Sequence, residues 1–176
     1  PLSNAYVKAD VLERMERFYP LHAYVCESCL LVQLQEFVSP EQIFDGYAYF
    51  SSYSKSWLQH CRAYTDYMIE RFSLGREHQV VEIASNDGYL LKYFKAHGIP
   101  VLGIEPAENV ARDAQAQGVE TLVRFFSAGT ATGLVRAGTR ADLLLGNNVL
   151  GHVPDLNDFV RGLKILLAPE GVITME

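Results

Sequence analysis

"VVEIASNDGYLL", residues 80–91, is the stretch whose reading decides the fold. It begins as an apolar strand, turns polar through Ala84-Ser85-Asn86-Asp87, passes Gly88 and returns to an apolar run. A strand that enters a helix through a small, glycine-bearing turn is how nucleotide-binding turns are built. Small residues let backbone amides approach a ligand, and the helix behind them carries the positive end of its dipole. The G-x-G-x-x-G of a dinucleotide fold is missing. Glu82 on the strand and Asp87 in the turn make the place acidic instead. A pyrophosphate prefers more glycines and no nearby carboxylate. A cationic ligand fits better.

Outward from this stretch the chain alternates regularly. Hydrophobic patterning predicts strands over 79–84, 101–105, 119–123, 141–146 and 171–176. Helices are expected over 88–97, 107–117, 128–137 and 156–167. Strands separated by single helices imply parallel crossovers, hence an α/β, Rossmann-like open parallel sheet covered on both faces. Such sheets bind ligands at the carboxyl ends of their strands. The last strand ends the sequence, so the core is expected to be C-terminally truncated. Pro1-Leu2-Ser3-Asn4 has neither an initiator Met nor a signal-peptide pattern and reads as a trimmed start.

The strand ends, taken together, describe one ligand. "VLGIEP" ends in Glu105-Pro106, 17 residues after Gly88, where an acid accepts hydrogen bonds from both hydroxyls of a ribose. Its other role there is to cap the helix beginning near Ala107. Phe125-Phe126 end the third segment, and either ring can border an adenine or pack in the core. "ADLLLGNNVLGHVP" places Asn147 and Asn148 at the sheet edge, where their amides can bond a polar tail, and His152 in a short turn above the same crevice. A ribose, an adenine, a cationic centre and an amino-acid tail make S-adenosylmethionine.

The N-terminal part reads differently, as a module over 1–50 joined by a connecting helix over 51–75 to a core over 76–176. Cys26-Glu27-Ser28-Cys29 lies between "LHAYV" and "LLVQLQEFV", two short strands meeting at a turn. Two thiolates in such a turn can share one tetrahedral zinc, which needs four ligands. The partner pair is not in the sequence, and neither His22 nor His60 has a persuasive spacing. The other reading is a pair of small reduced cysteines in a hairpin. Trp57, Cys61, Tyr64, Met68 and Phe72 recur at helical steps, which makes Cys61 a core residue rather than a nucleophile.

Composition narrows the functional classes. The 176 residues are 49% hydrophobic and 20% charged, as in a soluble domain with a sizeable core. A net charge of −6 argues against a nucleic-acid surface, which needs clustered Lys and Arg. No apolar run reaches the length of a membrane span. Three cysteines do not suggest a secreted disulfide framework, so a reducing cytoplasm is the default.

With these residues assembled, the chain resembles the class I, S-adenosylmethionine-dependent methyltransferases. More narrowly it is similar to the nucleotide-sugar C-methyltransferases, which act on keto-deoxysugars and carry an N-terminal zinc-binding module. The resemblance runs through "PLSNAYV", "YPLHAYVCESCLLVQL", "YAYFSSYSKSWLQH", "VVEIASNDGYLL", "GIEPAENVA" and "NNVLGHVP". It implies that Glu82, Ala84, Ser85, Asn86 and Gly88 hold the methionyl part, that Glu105 and Pro106 hold the ribose, and that Phe126 borders the adenine. Cys26 and Cys29 match the second cysteine pair of the zinc module, and that zinc is structural. His152 matches a histidine beside the bound sugar, and Tyr47 and Tyr49 lie where the family has tyrosines facing the active site. The first cysteine pair is absent, and the family's Tyr-x-Glu-His cluster falls beyond Glu176. An NAD-dependent oxidoreductase would share Glu105 and the sheet, but its turn would carry more glycines and fewer acids. A methyltransferase for a different acceptor would share the whole cofactor turn, and so would a non-catalytic binding module.

Overall fold

A computed structural model describes residues 6–176 and divides into two units, with the break between Tyr49 and Phe50. In the first unit, β1 (Ala23–Val25) pairs antiparallel with β2 (Val32–Leu34), Tyr24 opposite Gln33. Two backbone bonds close the intervening turn, from the Cys26 N–H to the Leu31 carbonyl and from the Leu30 N–H to the Cys26 carbonyl, both 2.9 Å. The expected strands are thus shortened to three residues each, all exposed. A short helix not expected from the sequence, α1 (Pro40–Phe44), starts on a proline, whose fixed φ suits a first helical position.

The second unit opens with a turn of 3-10 helix over Ser51–Tyr53 and then α2 (Lys55–Phe72). The Ser54 hydroxyl caps α2 by accepting from the Trp57 N–H, and Ser73, in left-handed conformation at φ 50°, ends it. Next come β3 (Val80–Ile83), α3 (Leu91–Ala96), β4 (Val101–Ile104), α4 (Glu108–Ala116), β5 (Thr121–Leu122), α5 (Ala128–Arg136), β6 (Ala141–Gly146), α6 (Leu156–Leu166) and β7 (Leu167–Met175). The five strands form one parallel sheet in the order β5-β4-β3-β6-β7. The expected open parallel sheet is therefore present. One core packs α2 and α3 on one face through Cys61, Met68, Leu90 and Phe94. The other packs α5 and α6 on the opposite face through Ala131, Phe159, Leu163 and Leu166.

Three boundaries differ from the sequence reading. Regular helix begins at Leu91 rather than residue 88, because Ala84, Asn86 and Gly88 all take positive φ (56°, 50° and 74°) and delay it. The dipole argument at this turn therefore rests on a six-residue helix set back from the ligand edge. The third strand shrinks to Thr121–Leu122 at the sheet's margin. The last strand extends back to Leu167, with an irregular register between Ala141 and Leu143 of its partner. Among the described residues no helix is long and apolar enough to cross a membrane.

Candidate active site

The chain leaves β3 for β4 on one side and later returns to β6 on the other, so the crevice beyond β3 is the switch point of the sheet. Its floor is the turn after β3. Three left-handed residues within five make that turn a tight zigzag, and only Gly88 adopts this backbone at no steric cost. Gly88 is also closely packed: a β-carbon there would lie 3.0 Å from Val119 Cγ2. The turn is braced from outside, since the Ser51 N–H donates to Asn86 Oδ1 at 2.8 Å and the Ser52 N–H to Asp87 Oδ2 at 3.2 Å.

Three carboxylates converge here, and their environments differ. Glu105 is 3% exposed, yet its oxygens accept from the backbone N–H of Asn86 and of Ala107, both at 2.9 Å. It ties the turn after β3 to the turn after β4 without capping α4, whose N-cap Ala107 receives no side-chain cap bond, and each oxygen retains a lone pair for a further donor. Burial pushes its carboxyl up, while those two N–H groups hold it down. Glu82 is fully buried, and neither oxygen has a hydrogen bond of regular geometry. Burial therefore raises its pKa well above the usual carboxylate value, with Glu105 and Asp87 adding repulsion and the nearby Tyr89 hydroxyl opposing it. Asp87 Oδ1 and Ser85 Oγ are likewise buried without a partner. Unsatisfied buried oxygens are costly, and a ligand carrying positive charge and donors would relieve those it reaches. The chemistry of this donor set fits a sulfonium and an ammonium.

At the end of β6, Asn147 Nδ2 donates to the Tyr89 hydroxyl at 3.0 Å, so this amide already belongs to the crevice wall. Asn148 takes a left-handed φ of 50°, and its N–H bonds the Glu176 carbonyl at 2.9 Å. His152 is exposed on a turn of 3-10 helix over Leu150–His152. Phe126 is half-buried, with its ring edge-on to Phe159 of α6 at 5.2 Å. Ala84 and Pro106 are half-buried at the ends of β3 and β4. Beyond Asn147, toward β7, a cavity of about 250 Å³ opens between α2 and the strand ends. Its walls include Trp57 stacked on His60 (5.2 Å, 14° between planes) and the Tyr64 hydroxyl, bonded to Thr174 Oγ1 at 2.6 Å. Cys61 in the same wall is core, as expected, and burial beside Glu82 pushes its thiol up to about 12.

Residues 45–176, three quarters of the chain, match a family model for a methyltransferase domain. The chain belongs to this methyltransferase family. Among curated proteins, the methyltransferase chain is 35% identical over 161 residues to the C-methyltransferase NovU of Streptomyces niveus, a match covering 92% of the chain and 38% of NovU. The chain thus spans well under half the length of that relative. Solved structures share the fold at low identity. The plantazolicin methyltransferase BpumL, crystallised with a desmethylPZN analog and SAH, superposes with a TM-score of 0.53 at 16% identity, over 68% of this chain and 45% of that one. DesVI of Streptomyces venezuelae gives 0.56 at 16%, over 71% and 52%.

Residues 1–44 match a zinc binding domain model. Cys26 opens the β1–β2 turn and Cys29 lies within it, and backbone and side-chain bonds from Cys29 and Ser28 hold the Cys26 thiol below its usual pKa. That favours a thiolate, the form that binds metal. Two thiolates are half of what a tetrahedral zinc needs, and among the described residues no group of three or more His, Cys, Asp or Glu is placed to hold a metal. His22 instead packs its ring 4.6 Å from Tyr24. Tyr47 and Tyr49 belong to the first unit, where Tyr47 contacts Phe44 at 5.2 Å and Tyr49 at 6.5 Å. Sequence reasoning misses Tyr89, Tyr64 and Thr174. Tyr89 directly follows the turn and reads as part of the apolar run, while the Tyr64–Thr174 pair joins residues 110 positions apart.

Proposed function

We propose that the second unit binds S-adenosylmethionine and is the cofactor half of a C-methyltransferase acting on a nucleotide-linked keto-deoxysugar. The observation that carries this reading is Glu82, a buried carboxylate without a regular hydrogen bond at the switch point, flanked by Asp87 and Glu105. Glu82, Ala84, Ser85, Asn86 and Gly88 would hold the amino-acid end, Glu105 and Pro106 the ribose, Phe126 the adenine, and Asn147 and Asn148 the polar tail. Bound there, the cofactor supplies an electrophilic methyl group on a sulfonium. Along the sheet the order is Glu105 just after β4, Glu82 on β3, Asn147 after β6 and Thr174 on β7. On this reading the acceptor would lie on the β6–β7 side, a placement supported by the cavity that Trp57 and Tyr64 wall.

The C-methyl part of this reading draws on the similarity to the C-methyltransferase NovU, which spans nearly the whole chain, and the keto-deoxysugar part on the sequence resemblance alone. A ketone acidifies the adjacent C–H, and a base removes that proton to make the carbon nucleophilic. His152 is the candidate proton acceptor in the second unit, and Tyr47 and Tyr49 keep only the role that the sequence resemblance gives them. Cys26 and Cys29 would supply two thiolates to a structural zinc, whose closed coordination takes no part in the reaction. Calorimetry with S-adenosylhomocysteine and with NAD tests the cofactor. Micromolar binding of the first and none of the second is expected, and the reverse would sink the proposal.

A further inference from the structure

Nothing regular fixes the Glu82 side chain, although an aimed carboxylate is what a cationic ligand needs. The nearby donor that opposes its raised pKa is the hydroxyl of Tyr89, although neither carboxylate oxygen has a hydrogen bond of regular geometry. Tyr89 is only 3% exposed, and its ring lies 6.0 Å from that of Trp57. Its oxygen is occupied as an acceptor by Asn147 Nδ2 at 3.0 Å. A phenol has one proton to give, and with Asn147 donating to it that proton is left for Glu82. Burial first, and then the charge of Glu82, keep the phenol protonated by pushing its pKa far up. The line Asn147–Tyr89–Glu82 thus joins the end of β6 to β3 across the switch point.

We propose that Tyr89 is a positioning residue: clamped by the Asn147 amide, its hydroxyl presents a proton to Glu82 and holds that carboxylate toward the ammonium of the ligand's amino-acid end. This rests on the cofactor reading above. Tyr89 touches no reacting atom in this role. It acts through its two neighbours, so the adenosine end of the ligand is indifferent to it.

Tyr89→Phe keeps the packed ring and removes only the hydroxyl. Binding is measured by calorimetry with S-adenosylhomocysteine and with adenosine, across a pH series. The groups facing Glu82 in that series are Asp87 in the turn, Glu105 after β4, Tyr89 itself, and Cys61 and Tyr64 on α2. The variant should bind S-adenosylhomocysteine about tenfold more weakly, as for a lost hydrogen bond to a charged group, and leave adenosine unchanged. Without its donor, Glu82 keeps its proton to higher pH, so the pH at which affinity falls should move upward. Asn147→Ala should act in the same direction, and the double variant should be no worse than the more severe single one. Unchanged affinity and pH profile in Tyr89→Phe overturns the proposal, as does equal loss of both ligands. If the unaltered chain binds neither ligand, the cofactor reading itself fails and the proposal falls with it.

Discussion

Burying Glu82 without a regular hydrogen bond raises the energy of its charged form, and this has a sign that experiment can read. In the unfolded chain a glutamate ionises near pH ~4.3; in the folded, ligand-free protein ionisation waits for a higher pH. The folded state therefore holds the proton more tightly. The resulting stability is complete below the unfolded value and is lost as pH rises through the folded one. Glu82→Gln has no such loss. Its Tm at about pH 8 should exceed the parent's by several degrees, the gap closing toward pH ~5, in scanning calorimetry over a pH series. The same variant should bind S-adenosylhomocysteine at least ~tenfold more weakly, since a neutral amide cannot attract an ammonium. If affinity survives, Glu82 is a buried curiosity and not a ligand. Gly103 sets a second test, because a β-carbon there would collide with Ser85 Oγ and stand 3.0 Å from Ser85 Cβ. Gly103→Ala should force the Ser85 side chain aside, at a cost of about 1–3 kcal/mol for overpacking. Urea unfolding checks the stability, and S-adenosylhomocysteine affinity should fall with it.

Among the elements, α2 carries one wall of the β6–β7 cavity, and its first turn depends on Ser54. Ser54→Ala should cost about 1 kcal/mol, lowering Tm by a few degrees while leaving S-adenosylhomocysteine affinity within twofold, because Trp57 and Cys61 stay packed in the core. This helix was legible in the sequence, since its stripe from Trp57 to Phe72 is long and strongly periodic. The parallel sheet was legible for the same reason, as apolar runs alternated with helical spacings from residue 79 onward. The start of α3 was not. Its delay comes from left-handed backbone at Ala84 and Asn86, which no composition rule assigns to an alanine. Likewise Glu105, Asn147 and Glu82 could be placed at strand ends, but the use of Asn147 as a clamp on Tyr89 depends on distances that spacing does not encode.

Across the whole chain, the thiol pair and the carboxylate cluster belong to different units. The two proposals attached to them are accordingly separable. Cys26→Ser with Cys29→Ser should lower bound zinc, measured by elemental analysis of the purified protein, while S-adenosylhomocysteine affinity changes less than about twofold, as for sites without shared partners. Loss of the ligand together with the metal would show that the units depend on each other. The only tryptophan of the sequence, Trp57, has its ring on His60 and beside Tyr89. The molecule thus carries a built-in lamp at the edge of its own crevice. Any occupant that rearranges the wall should dim or brighten ultraviolet emission, so a titration can be followed with no dye, label or turnover.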